Sequence, residues 1–121
     1  MTVDGVTGDD LLRMLAALAN PHRLRIVAAL AGGRNYVSQL ARDLEMSRPL
    51  LHMHLQRLEA AGLVAGALEL SDEGKAMKYF EVTAFALHLT PATIAQAART
   101  LSIDGSGGVA PAGLDQAEDI R

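Results

Sequence analysis

Ser47-Arg48-Pro49-Leu50-Leu51-His52-Met53-His54-Leu55-Gln56-Arg57-Leu58-Glu59-Ala60-Ala61-Gly62 decides how this 121-residue chain is read. Serine is a good N-cap, proline suits the first helical turn and glycine ends helices, so the stretch predicts a helix opening at Ser47 and running to about Ala61, with Gly62 as its stop. Leu51, Leu55 and Leu58 recur at helical spacing and form its buried stripe. Pro49, His52, Met53, Gln56 and Arg57 are left around the other side, which carries no acidic residue before Glu59.

Just upstream, Val37, Leu40, Ala41 and Leu44 keep the three- and four-residue spacing of a shorter helix, with Ser38 as its expected cap. Only Glu45-Met46 separates its end from Ser47. Downstream, Leu63 to Leu70 and Met77 to Val82 read as two strands joined by the polar turn Ser71-Asp72-Glu73-Gly74-Lys75-Ala76. Two helices around a tight turn, then a hairpin, have a physical use. The first helix holds the second proud for insertion into the major groove of DNA, and the hairpin reaches neighbouring phosphates.

Further out, Leu11, Met14, Leu15 and Leu18 mark a helix from Asp9 to Ala19, with Leu12 and several alanines widening its apolar stripe. Asn20-Pro21 breaks the chain and restarts it as a helix to Ala31, stopped by Gly32-Gly33, with Leu24, Ile26, Val27 and Leu30 as its apolar residues. His22, Arg23 and Arg25 crowd the first turn of that helix, where the dipole disfavours cations. Thr90-Pro91 opens a last helix, Pro91 to Leu101, with Ile94, Ala95, Ala98 and Leu101 on one side. The expected fold class is therefore mainly α with a β-hairpin wing: a winged helix-turn-helix of five helices, spanning 7–101. Residues 102–121, rich in glycine and acidic side chains, read as a disordered tail.

Composition narrows the function classes. Half the residues are hydrophobic, enough for a single core. Cysteine is absent, which excludes a disulfide framework, thiolate metal sites and a cysteine nucleophile. No run approaches the ~20 apolar residues that span a bilayer, and Met1 to Asp10 is acidic, unlike a signal peptide. A cytoplasmic protein without membrane partners is expected. The net charge of −3 arises entirely within 79–121, so the middle of the chain is neutral and can still present one basic face. No nucleophile elbow, phosphate loop or metalloprotease motif occurs, and no enzyme is expected. The four aromatic residues, Tyr36, Tyr79, Phe80 and Phe85, are too few to fill a core and also stack on single-stranded RNA.

Double-stranded DNA is the expected partner. Arg48, at the helix start, can bond guanine O6 and N7 at once, with His52 and Gln56 as further base readers. Ser47 reads equally as a phosphate contact or as a plain N-cap. Met53, Pro49 and Arg57 complete the helix face, and Lys75 and Lys78 flank the wing turn as phosphate contacts. The alternative is a winged helix used only for protein binding, but such a helix has no reason to avoid carboxylates. A homodimer is expected from the first and last helices, through Leu11, Leu12, Leu15, Leu18, Ile94, Ala98 and Leu101. His52 and His54, about 200° apart on a helix, cannot chelate one ion. His54 sits at the border of the leucine stripe, and His22 and His88 read as surface residues.

Leu18-Ala19-Asn20-Pro21-His22-Arg23-Leu24-Arg25-Ile26 resembles the second-helix opening of ArsR-type regulators. Met46 to Leu55, continuing through Leu58-Glu59-Ala60-Ala61-Gly62-Leu63-Val64, resembles that family's recognition helix and its lead into the wing, and Gly74-Lys75 and Tyr79 extend the match. The resemblance covers 9–101, and it makes His54 either a packing or a phosphate-facing residue. It implies a winged-helix homodimer that represses by occupying a promoter and leaves when a small-molecule effector, here of unknown identity, binds. His52 stands where the family commonly has serine and Gln56 where it often has lysine, so operator sequence does not transfer. The family's cysteine pair is missing from Val37 to Ala41, and its histidine and carboxylate ligands are missing from Pro91 to Leu101, so no metal or other cofactor is expected.

Overall fold

The structure, a computed structural model, describes residues 6–102; the expected tail lies outside them, apart from Ser102. In chain order the elements are α1 (Gly8–Leu18), α2 (Pro21–Ala31), β1 (Asn35–Tyr36), α3 (Val37–Leu44), α4 (Arg48–Ala60), β2 (Val64–Leu70), β3 (Ala76–Val82) and α5 (Pro91–Ala98). The three strands form one antiparallel sheet in the order β1-β3-β2. This is a winged helix-turn-helix with five helices, as expected.

Local chemistry explains the boundaries. Asn20 accepts hydrogen bonds from the amides of His22 and Arg23, and Ser47 accepts one from Leu50, so both act as N-caps. Thr90 and Thr93 satisfy each other's backbone in a capping box at α5. At the end of α4, Gly62 sits at φ 79° while its amide and that of Leu63 reach back to the carbonyls of Glu59 and Leu58. That is a Schellman stop. The wing turn closes through Ser71 and Lys75, with Gly74 at φ 81°.

Three expectations change. Ser38 lies inside α3 and does not cap it; the helix begins at Val37, because Asn35 and Tyr36 are drawn into the sheet opposite Phe80 and Tyr79. That short strand was not expected, as two residues give no periodicity to read. Leu24 is 55 % exposed although counted among the apolar residues of α2. It lies about 200° from Ile26 around the helix, away from the core that Ile26 and Leu30 enter. Finally, α5 ends at Ala98, and Arg99 to Leu101 continue as a turn.

The main core joins Met14, Ile26, Leu40, Leu51, Leu55 and Phe80, so α4 is clamped by α1, α2, α3 and the sheet. A smaller cluster holds Leu11 against Ala97, between α1 and α5. Gly8 makes this second contact close: its amide donates to the Thr100 hydroxyl at 2.6 Å, and a Cβ there would lie 2.2 Å from the Ala97 carbonyl oxygen.

Candidate nucleic-acid interface

The first-turn arginines of α2 have a structural use that answers the dipole objection. Arg23 donates through Nε to the carbonyl of Ala17 at 2.6 Å, and Arg25 donates to the carbonyl of Leu44 at 3.2 Å. Both carbonyls belong to the last turn of a helix, where no amide follows to bond them. The α2 arginines therefore cap α1 and α3 and place cations at the negative ends of both. Arg23 also donates to Nδ1 of His54 at 3.1 Å, on the inner side of α4.

His54 is 3 % exposed, which decides its two readings in favour of packing. Because Nδ1 accepts from Arg23, the ring proton sits on Nε2, which has no hydrogen-bond acceptor among the described residues. Burial, then the charges of Arg23, His22 and Arg57, hold the imidazole below its ordinary range. His54 thus braces α4 from within, its charged form disfavoured.

The outer side of α4 carries Arg48, Pro49, His52, Met53, Gln56 and Arg57, all exposed, with Ser47 exposed at the cap. A concavity of about 310 Å³ opens between the start of this helix and the wing. Arg48 and His52 line one wall and Lys75 and Lys78 the other, with Tyr36 and Ser38 at its base. Four of the residues singled out in the sequence are thereby brought together. Arg57 is not, since it stands nine residues beyond Arg48 and about 180° around the helix, on the opposite flank. Leu50, 37 % exposed beside Met53, was missed because leucines in a helix read by default as core.

A polar cluster that sequence reasoning did not find ties β1, which leads directly into α3, to the strands of the wing. Tyr36 of β1 donates its hydroxyl to Glu69 of β2, Arg34 pairs with the same carboxylate at 3.0 Å, and the Arg34 guanidinium lies 4.3 Å from the centre of the Tyr79 ring. The tyrosine hydrogen bond, with the nearby arginine, holds the Glu69 carboxyl below its usual range. Partners 33 residues apart leave no local signal. Glu59, the first acid on α4, accepts from the Gly66 amide at the base of the wing.

Residues 20–65, the helix-turn-helix and the lead into the wing, match the model of the family described as bacterial regulatory protein, arsR family. An HTH-type transcriptional regulator of Methanocaldococcus jannaschii is 34 % identical over 80 residues, covering 66 % of this chain and 83 % of that protein. This chain belongs to the ArsR family. The transcriptional regulator CmtR of Mycobacterium tuberculosis is 39 % identical over 69 residues, 57 % of this chain and 55 % of its own length. Among solved structures, the homodimeric winged helix-turn-helix DNA-binding domain of Mb0332 from Mycobacterium bovis superposes with a TM-score of 0.55 at 26 % identity, covering 75 % of this chain and 74 % of that one. The ArsR-family protein described here is accordingly a winged helix-turn-helix transcriptional regulator.

The remaining residues singled out in advance are those of α1 and α5. Leu11 is buried between the two helices of one chain and Leu18 packs against the main core. Leu12, Leu15, Ile94, Ala98 and Leu101, with the edge of Leu11, line an open apolar groove of about 140 Å³. Among the described residues no three His, Asp or Glu side chains converge as metal ligands do, and no helix is long and apolar enough to cross a membrane.

Proposed function

We propose that this ArsR-family regulator is a sequence-specific repressor that binds an inverted repeat in duplex DNA as a homodimer, through a single domain spanning 7–101. The carrying observation is the concavity in which Arg48 and His52 of the recognition helix face Lys75 and Lys78 of the wing. A duplex lying against these walls receives cations from two directions, as major-groove docking with a wing on the flanking backbone requires. Arg48, His52 and Gln56 follow one another at i, i+4 and i+8 and read base edges; Met53 and Pro49 give apolar contact to thymine methyls. Ser47, Lys75, Lys78 and, on the outer flank, Arg57 take phosphates. Repression follows from the family resemblance, since a protein seated on a promoter excludes polymerase.

Fluorescence anisotropy with fragments of the source genome tests this. Log affinity should fall with log salt by about 0.9 for each phosphate neutralised. Lys78→Ala should lower that slope by about 1 and weaken all sequences alike, whereas Arg48→Ala should cost about 1–3 kcal/mol on the preferred site only. A response flat in salt would leave the winged helix as a protein-binding module.

A further inference from the structure

On the flank of α4 away from the wing lies a second basic concavity, of about 230 Å³, lined by Arg13 of α1, Arg23 of α2 and Arg57 of α4. Its other walls are alanines of α1 and of the end of α4, so no carboxylate faces into it. Neither Arg23 nor Arg57 forms an ion pair among the described residues. Arg13 does bond Asp10, at 2.6 Å, but both partners are half-exposed, and such a pair exchanges readily for another anion. The Ala17 carbonyl and the His54 ring fix Arg23 in place without neutralising it. Arg57 lies close enough to add its repulsion to the effect of burial, and together they depress the Arg23 guanidinium from its ordinary value.

Three arginines from three helices, one of them held by two hydrogen bonds, line a space whose other walls are alanines, and guanidinium groups so placed can receive a tetrahedral or planar oxyanion. The concavity is open to solvent and has room for a small anion with its water. We propose that this concavity binds a small free oxyanion: inorganic phosphate, sulfate, or the phosphate or carboxylate group of a metabolite. A backbone phosphate of DNA shares that chemistry. The position favours the free anion, because α1 and α2 build the site and neither lines the concavity facing the wing. An anion held here ties the end of the recognition helix to α1 and α2 and removes a cation from α4. It should therefore weaken DNA binding, a consequence that rests on the DNA-binding function proposed above.

The first test needs no DNA. Inorganic phosphate is titrated into the full chain at constant ionic strength against chloride, following arginine Nε resonances and the thermal midpoint. A saturable phosphate response is expected, weakened about tenfold or more in Arg57→Gln, and likewise in Arg13→Gln, which leaves α4 untouched, while Arg48→Gln responds as the wild type does. Equal, non-saturating responses to phosphate and chloride would overturn the proposal, as would saturation unchanged in both arginine variants. In a second arm, phosphate at the same ionic strength should lower DNA affinity in the wild type and not in Arg57→Gln. Should free phosphate fail to bind while Arg57→Gln lowers the salt slope of DNA binding by about 1, the site belongs to the duplex backbone and the free-anion proposal falls.

Discussion

Glu45 makes the turn of the helix-turn-helix in a conformation that its side chain resists. It sits at φ 53°, ψ 49°, while its amide bonds the carbonyl of Arg42 and that of Met46 bonds the carbonyl of Ala41. This is the Schellman geometry that glycine usually occupies, and a Cβ there costs about 1–2 kcal/mol. Glycine relieves that strain and removes an anion from the negative end of α3, against a larger loss of chain entropy on folding. Glu45→Gly should raise stability by about 0.5–1 kcal/mol, read as a higher urea midpoint with unchanged slope. His54 sets a second expectation. Burial, then the neighbouring Arg23, His22 and Arg57, hold its imidazole below its ordinary range, so near pH 6.5 the unfolded chain takes up a proton more readily than the folded chain does. The unfolded state binds more protons in that window, so this contribution is complete above pH 6.5 and is lost as pH falls through it. Urea midpoints measured from pH 8 to pH 5 should decline, and His54→Gln should flatten the decline; an identical profile in the variant would place the titration elsewhere.

Between elements, what was legible in the sequence is what period and caps encode. Asn20-Pro21, Ser47 with Pro49, Gly62 and Thr90-Pro91 each announce a boundary through the chemistry of one or two residues, and the leucine stripe of α4 fixes the face it turns outward. Arg48, His52, Lys75 and Lys78 could be named in advance because a polar side chain on an exposed helix face or at a hairpin turn is a local feature. The union of Tyr36, Arg34 and Glu69, and the grouping of Arg57 with Arg13 and Arg23, depend on how helices and sheet cross, which no local pattern states. Gly8 belongs with them. It is where α1 touches α5, held by the Thr100 hydroxyl and flanked by Asp9, which accepts from the amide and hydroxyl of Ser102 at 2.9 and 2.6 Å. Gly8→Ala pushes a methyl into the Ala97 carbonyl, and because backbone cannot give way cheaply, about 1–3 kcal/mol should be lost. Hydrogen exchange should quicken in 91–98 and change little in α4. Equal quickening throughout would mean that α5 unfolds only with the whole domain.

For the whole molecule, the distribution of apolar surface separates two tasks. The core around Leu51, Leu55 and Phe80 closes within one chain and fixes α4, whereas between α1 and α5 the described residues bury a small cluster, Leu11 and Ala97 with Gly8 beside them, and leave Leu15 and Ile94 at the edge of an open groove. Ile94 is 48 % exposed, and the groove that it shares with Leu12, Ala98 and Leu101 is almost wholly apolar. A second copy of the chain, related by a two-fold axis, would cover the same patch on both subunits and place two recognition helices about 34 Å apart, one turn of DNA. Affinity for an inverted repeat then depends on dimerisation as much as on Arg48, because each half-site alone supplies only its own contacts. Leu15→Glu puts a carboxylate into the groove without touching α4 or the wing. It should yield monomers by sedimentation, keep the fold by circular dichroism, and weaken binding to a paired site far more than to an isolated half-site. If the variant sediments as the wild type does, the subunits meet through another surface, and the spacing expected of the operator changes with it.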